Sequence, residues 1–390
     1  MQIALGAVYA WSVFRIPLTK AYGWTIPEVT VAFELAILVL GFAAFAGGMW
    51  MRHSGPRPVA LLAAVLYGTG TILAGTAHSL PALYLTYGVM GGAGLGLGYI
   101  VPVATLIRWF PDKRGMITGI AVAGFGAGAL ITAPIAQRLI ASVGVGRTFQ
   151  ILGAVYLVVV LSAATFMKNP EVGYAPAGYR PPTGASSNSS REDFTLRQAL
   201  GKWQWYGLWL TLFLNTTAGI AIISQAAPMS QEISHVSAAV AAGLVGIISM
   251  ANGSGRFLWA WLSDTIGRRM VFVAMFLVQA AAFLLLSYAS NFGTLAVYCF
   301  AILLCYGGGF GTMPAFAADY FGSKDVGSIY GLMLTAWGIA GVAGPTLIAQ
   351  VRQATGGYHD ALRFMALLTL LSTIVPLFLR PPLLSRTAIQ

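Results

Sequence analysis

In Ala251-Asn252-Gly253-Ser254-Gly255-Arg256 an arginine interrupts a run that otherwise reads as hydrocarbon-buried helix. A guanidinium presents a planar fork of N–H donors that matches a carboxylate by two parallel hydrogen bonds, so this residue in this setting points to recognition of an organic anion. Asn252 lies four residues earlier, one helical turn away on the same face, and the small residues between the two suit a cavity wall. A cation deep in a membrane span costs roughly 2.5–3.5 kcal/mol on insertion scales, so Arg256 should face a cavity or an ion partner. The alternative is that Arg256, about six residues from the middle of its span, snorkels about 9 Å to the membrane surface.

Other groups could join it. Tyr9, Tyr99 and Tyr306 fall near the middle of three further apolar segments, where their hydroxyls could meet a carboxylate or a 2-hydroxyl; ordinary helix packing accounts for each one equally well. Glu34, Glu232 and Asp319 are the acids that could carry a coupling proton. His53, His78, His235 and His359 sit in loops or at span ends without paired ligand spacing, so neither a metal site nor any other cofactor is expected. No Ser/His/Asp set or carboxylate pair is spaced for catalysis, and an enzyme is not expected. Cys299 and Cys305, about 9 Å apart along one helix, are too distant for a disulfide.

The elements that position these groups follow from composition. Only 8% of the 390 residues are charged and 57% are hydrophobic, which excludes an ordinary soluble domain and makes the lipid bilayer the expected surroundings. Apolar stretches long enough to cross a bilayer predict twelve transmembrane helices at 1–17, 29–51, 58–77, 82–107, 116–137, 148–167, 204–226, 238–262, 270–289, 293–317, 328–350 and 361–379. The fourteen apolar residues before Arg15 are short for the first, as if its start were missing; no cleavable leader pattern is present there. The net charge of +11 is not a nucleic-acid face, because the basic residues fall between spans. Placing 52–57, 108–114, 168–202, 268–269, Lys324 and the C-terminus on one side collects 15 of the 22 Lys and Arg, which makes that side, with both termini, cytoplasmic.

The segment 168–202, rich in Pro, Gly and Ser, has too little apolar surface to pack and reads as a linker between a six-helix half at 1–167 and another at 203–390. The halves repeat one another. Gly55 and Arg57 align with Gly267 and Arg269 at an offset of 212, Pro102 with Pro314 at the same offset, and Phe110 and Lys113 with Phe321 and Lys324 at 211. Matched spacing at two separate loops argues for a parallel duplication with a binding site between the halves. Glycine runs at 91–98, 124–129 and 307–311, with Pro134 and Pro345, allow close helix contact or bending.

The second copy of the loop, Ala260-Trp261-Leu262-Ser263-Asp264-Thr265-Ile266-Gly267-Arg268-Arg269, resembles the major facilitator signature G-x-L-[AS]-D-x-x-G-R-[RK]. Gly267 permits the turn and the arginines hold it at the surface; Asp264, Gly267, Arg268 and Arg269 form the expected gating motif. In the first copy the aspartate position is Arg52, which puts the superfamily's gate contact there in doubt. The stretches "GAVYAWSVF", "RWFPDKRG", "GGGFGTMPAFAADYFG" and "YGLMLTAWGIAGVAGP" resemble the oxalate/formate antiporter branch, close to the monocarboxylate transporters. This resemblance implies an all-α membrane protein of twelve helices in two six-helix halves and an anion-binding role for Arg256.

Two departures narrow the expected substrate. Where animal monocarboxylate transporters have a proton-linked Asp one turn before the arginine, this chain has Asn252; where oxalate transporters have a lysine in a T-A-K-G stretch, it has Trp337 in Thr335-Ala336-Trp337-Gly338. One cation suits one carboxylate, since a second in a dry site would stay unpaired at a cost of several kcal/mol. The expectation is a monomeric carrier of a small monocarboxylate of the lactate or pyruvate class, coupled to a proton, in a bacterial inner membrane. The alternatives are oxalate/formate-type anion exchange and a ligand sensor that does not transport. The orientation is checked by a cysteine introduced at Ser187: it should stay unlabelled by an impermeant thiol reagent added to intact cells, and labelling from outside would invert the topology.

Overall fold

The protein, described from a computed structural model, is resolved here over residues 1–171, 174–176 and 193–382, so Ser187 and most of the linker lie outside the described residues. Among these residues all regular structure is helical. Among the described residues nine helical stretches are long and apolar enough to cross a membrane. One of them, Arg114–Ala164, breaks at Gly144 (φ 80°, ψ 166°) and makes two crossings. With 2–22 and Ala238–Ile266, which are not among those nine, the described residues hold twelve long helical segments.

In chain order these are α1 (2–22), α2 (Ile26–Ser54), α3 (Pro56–Ala74), α4 (Leu80–Trp109), α5 (114–143), α6 (145–164), α7 (Trp203–Ser234), α8 (Ala238–Ile266), α9 (Arg268–Leu286), α10 (Phe292–Phe321), α11 (Val326–Thr355) and α12 (Tyr358–Phe378). α1 extends past Arg15 and Lys20 to Tyr22, beyond the expected end at residue 17, and a left-handed Gly23 stops it. Polar side chains define the helix starts. Thr25 and Glu28 form a capping box on α2, and Ser79, Ser237 and Asn291 cap α4, α8 and α10. A short helix, Leu196–Leu200, precedes α7 behind a Thr195–Gln198 capping box.

The repeat is visible in the backbone. Among the described residues six of the seven left-handed residues fall in pairs 212 apart, Gly23 (φ 73°) with His235 (50°), Gly55 (76°) with Gly267 (89°), and Gly144 (80°) with Gly356 (82°), while Gly322 (84°) has no such partner. The same chain reversals therefore recur at matched points of α1–α6 and α7–α12. Only glycine enters these conformations without Cβ strain, which is why five of the six are glycine.

Glycine also sets how closely the helices approach Arg256. A Cβ on Gly311 of α10 would fall 2.0 Å from the Arg256 carbonyl oxygen, one on Gly307 would fall 2.1 Å from that of Asn252, and one on Gly255 would fall 2.0 Å from that of Leu304. From the other side, a Cβ on Gly119 of α5 would fall 2.8 Å from the Arg256 carbonyl oxygen. Arg256 is thus clasped between α5 and α10 by backbone-to-backbone contact, which small residues permit and no side-chain rotation can relieve. The loops 52–57, 108–114, 264–269 and 319–325 contact one another on one face of the molecule, called here the basic face. Gly243 and Gly246 of α8 are exposed, and a Cβ on either would meet nothing within 4 Å; a shallow groove of about 390 Å³ lies between Leu38 of α2 and the Ile339–Gln350 side of α11.

Replacing Gly311 by Ala should therefore destabilise the protein by about 1–3 kcal/mol through overpacking. Gly243→Ala should leave stability unchanged or raise it by up to about 1 kcal/mol. Thermal melts of the two variants in detergent check the contrast.

Candidate functional site

The centre of the molecule is an aromatic cage around one cation. Arg256 is fully buried. Its Nε donates to Asn252 Oδ1 at 3.1 Å, the bond that the one-turn spacing allows. Its Nη1 reaches the Val122 carbonyl of α5 at 3.5 Å, and Nη2 is buried with no acceptor. The guanidinium carbon lies 5.3 Å from the Phe125 ring centroid and 4.9 Å from that of Phe310, so two electron-rich faces flank it. Among the described residues no carboxylate forms an ion pair with it. The snorkelling alternative is not what the geometry shows: the group is held in the interior, between α5 and α10.

Trp337 on α11, also fully buried, closes the same cage. Its ring lies 4.6 Å from Phe310, 5.7 Å from Phe125, 5.6 Å from Tyr99 and 6.3 Å from Tyr9, and its Nε1 has no acceptor. Tyr9, in a 3-10 turn (Gly6–Ala10) within α1, meets Tyr306 of α10 hydroxyl to hydroxyl at 3.1 Å. This contact joins the first six helices to the last six. It lies toward the opposite face from Phe310, since Tyr306 is one turn earlier on a helix that descends to the basic face at Phe321. Tyr9, Tyr99, Tyr306 and Tyr330 all stand within electrostatic reach of the guanidinium.

Six of the sequence candidates, Arg256, Asn252, Tyr9, Tyr99, Tyr306 and Trp337, are therefore neighbours in space. Phe125, Phe310, Val122 and Tyr330 were not among them. Two of these were within reach of pattern reasoning: Tyr330 lies two helical turns before Trp337 and Phe310 one turn after Tyr306. Phe125 and the Val122 carbonyl carry no such signal, because an aromatic ring or a backbone oxygen on an apolar helix reads as packing.

The three acids stand elsewhere. Asp319, at the basic-face end of α10, pairs with Arg114 at 3.3 Å and Arg268 at 3.0 Å. Glu232, near the opposite-face end of α7, pairs with Arg352 of α11. Glu34 is half-buried on α2 and forms no ion pair among the described residues.

The signature loop forms a connected network. Asp264 accepts hydrogen bonds from the backbone N–H groups of Gly115 (3.1 Å) and Met116 (2.8 Å), at the first turn of α5, and pairs with Arg268 at 2.6 Å. A carboxylate placed there satisfies free N–H groups and complements the helix dipole. Arg268 also bonds the Ser263 hydroxyl, and Arg269 reaches the Leu379 carbonyl at 3.5 Å. Gly267 makes the turn that allows all of this.

The Major Facilitator Superfamily model matches residues 2–345 and 208–389. The chain belongs to this superfamily. It is 26% identical to the oxalate:formate antiporter of Oxalobacter formigenes over 98% of this chain and 89% of that one. It is also 26% identical to apicoplast pyruvate carrier 1 of Toxoplasma gondii, over 84% of this chain and 70% of the carrier. In fold it is similar to the transporter FucP crystallised in the outward conformation, with a TM-score of 0.73, 16% identity and 97% of each chain covered. The protein is thus an integral membrane transporter of the major facilitator fold with organic-anion transporters among its relatives.

Proposed function

We propose that the protein carries small monocarboxylates of the lactate or pyruvate class by alternating access coupled to a proton. The observation that carries this reading is the buried guanidinium of Arg256, whose Nη2 has no acceptor and which has no carboxylate partner among the described residues. Burial strengthens its attraction for an anion, while the aromatic walls and Trp337 supply bulk and hydrogen-bond donors without a second charge. The pyruvate carrier among the relatives supports the substrate class. Exchange of the oxalate/formate type is the second reading, favoured by the likeness to that antiporter over 98% of the chain. On our reading the basic face is cytoplasmic, the membrane is a bacterial inner membrane, the carrier is monomeric, and 168–202 links the working halves 1–167 and 203–390. Glu34 is our candidate for the coupling proton, because Glu232 and Asp319 are already ion-paired.

Two measurements test the site. Each charge-assisted bond to the carboxylate contributes about 1.5–3 kcal/mol, so Arg256→Lys, which keeps the charge and loses the fork, should lower lactate affinity at least about tenfold in a binding assay on well-expressed protein. Near-normal lactate uptake by that variant would move the substrate site elsewhere. In counter-flow the wild type should prefer lactate to oxalate, and Trp337→Lys should raise oxalate relative to lactate; a wild type preferring oxalate would favour exchange over the monocarboxylate reading.

A further inference from the structure

The arginine at position 52 replaces the aspartate of the signature in the first repeat, and its surroundings show what it does there. Position 52 is 212 residues before Asp264, as the start of α5 at Arg114 is 212 before the start of α11 at Val326. In the second repeat the carboxylate of Asp264 sits on the first turn of α5. In the first repeat the charges are exchanged. Arg52 Nε lies 3.1 Å from Oδ1 of Asp325, the residue immediately before α11. The Asp325 side chain is 4% exposed and that of Arg52 39%, so the acid is the buried partner.

Arg108 of α4 strengthens the arrangement: its Nη2 donates to the Lys324 carbonyl at 2.6 Å, and its charge interacts with Asp325. Both arginines come from the first six helices and the aspartate from the second six. Four residues before Arg52, a Cβ on Gly48 would fall 2.0 Å from the Gly327 carbonyl oxygen, so α2 and α11 are in backbone contact beside the pair.

We infer that Arg52–Asp325 is a charge-inverted counterpart of the Asp264 contact, and that it serves as a clasp holding the two halves together at the basic face and breaking each time that face opens. In the closed state Asp325 is dehydrated and its charge is met by Arg52 and Arg108. In the open state water takes over from the arginines, so the desolvation cost of the pair is recovered as its Coulomb attraction is lost, and the clasp is reversible. Removing Arg52 leaves the buried Asp325 with Arg108 alone, and removing the Asp325 charge leaves both arginines without it, in the closed state only, which shifts the population toward the open one. The inference does not depend on which anion is carried.

The experiment is cysteine accessibility in detergent, in a Cys299→Ala/Cys305→Ala background. One reporter is Ala104→Cys, buried on α4 beside Gly327; the other is Leu38→Cys, in the groove toward the opposite face. Arg52→Gln and Asp325→Asn should each speed maleimide labelling at position 104 by at least about fivefold and slow it at position 38. The double variant should do no more than either single one, and Arg52→Lys should stay near the parent. Unchanged labelling, a rise at both reporters (general loosening), or additive effects in the double variant would each overturn the clasp. Should Asp325→Asn fail to accumulate, the half-exposed Arg52→Gln decides alone by the two reporters.

Discussion

A guanidinium with no carboxylate partner among the described residues, buried where two halves of a membrane protein meet, is the constraint around which this structure is arranged. Arg256 receives partial compensation from several sources: an amide oxygen one turn away, a backbone carbonyl of α5, and the faces of Phe125 and Phe310. Each is a dipole or quadrupole, and none carries a full charge. The compensation comes from both halves, Val122 and Phe125 from one and Asn252 and Phe310 from the other. A small anion arriving there would be held by both halves at once, which is the requirement for coupling binding to their relative motion.

The close approach that makes this possible is a property of glycine. At Gly119, Gly255, Gly307 and Gly311 backbones meet with no room for a methyl group, so α8 is fixed against α5 and α10 at the level of Arg256. Without a hydrophobic driving force between helices in lipid, such contact is the main source of their cohesion. Polar interactions then act at the basic face, where water is near and charges are affordable: Asp264 on the start of α5, Asp319 between Arg114 and Arg268, and Asp325 beside Arg52. The result is a set of contacts that joins the two halves at that face, while elsewhere a shallow apolar groove lies between Leu38 and α11. The Tyr9–Tyr306 contact covers the cage on the side away from the basic face.

Much of this was legible in the residue string. The succession of apolar helices, the duplication at an offset of 212, the signature loop and the unusual position of Arg256 follow from hydropathy, spacing and the cost of a buried charge, all local or periodic properties. The six candidate residues about the site were found because polar and aromatic groups in an apolar span are conspicuous one at a time. Helix ends moved by several residues, most of all in α7 and α5, because lipid-facing and water-facing turns are equally helical and hydropathy changes only gradually between them.

Tertiary structure alone decided which of these groups share a space. Asp319 and Glu34 are both acids in or beside spans, and nothing in their neighbours along the chain says that one is claimed by Arg114 and Arg268 while the other has no such partner among the described residues. Arg52 reads as the loss of a gate contact until Asp325, 273 residues away, is seen beside it with the charges exchanged. Phe125 becomes a wall for a cation only through the approach of α5 to α8. The sequence by itself determined that this chain spans a membrane as two related halves with one arginine in its interior, because those facts rest on solvation of each segment. The pairing of charges and rings across the halves rests on distances between segments, and these are set by how glycine-lined helices pack, a property of the assembled bundle rather than of any stretch of chain.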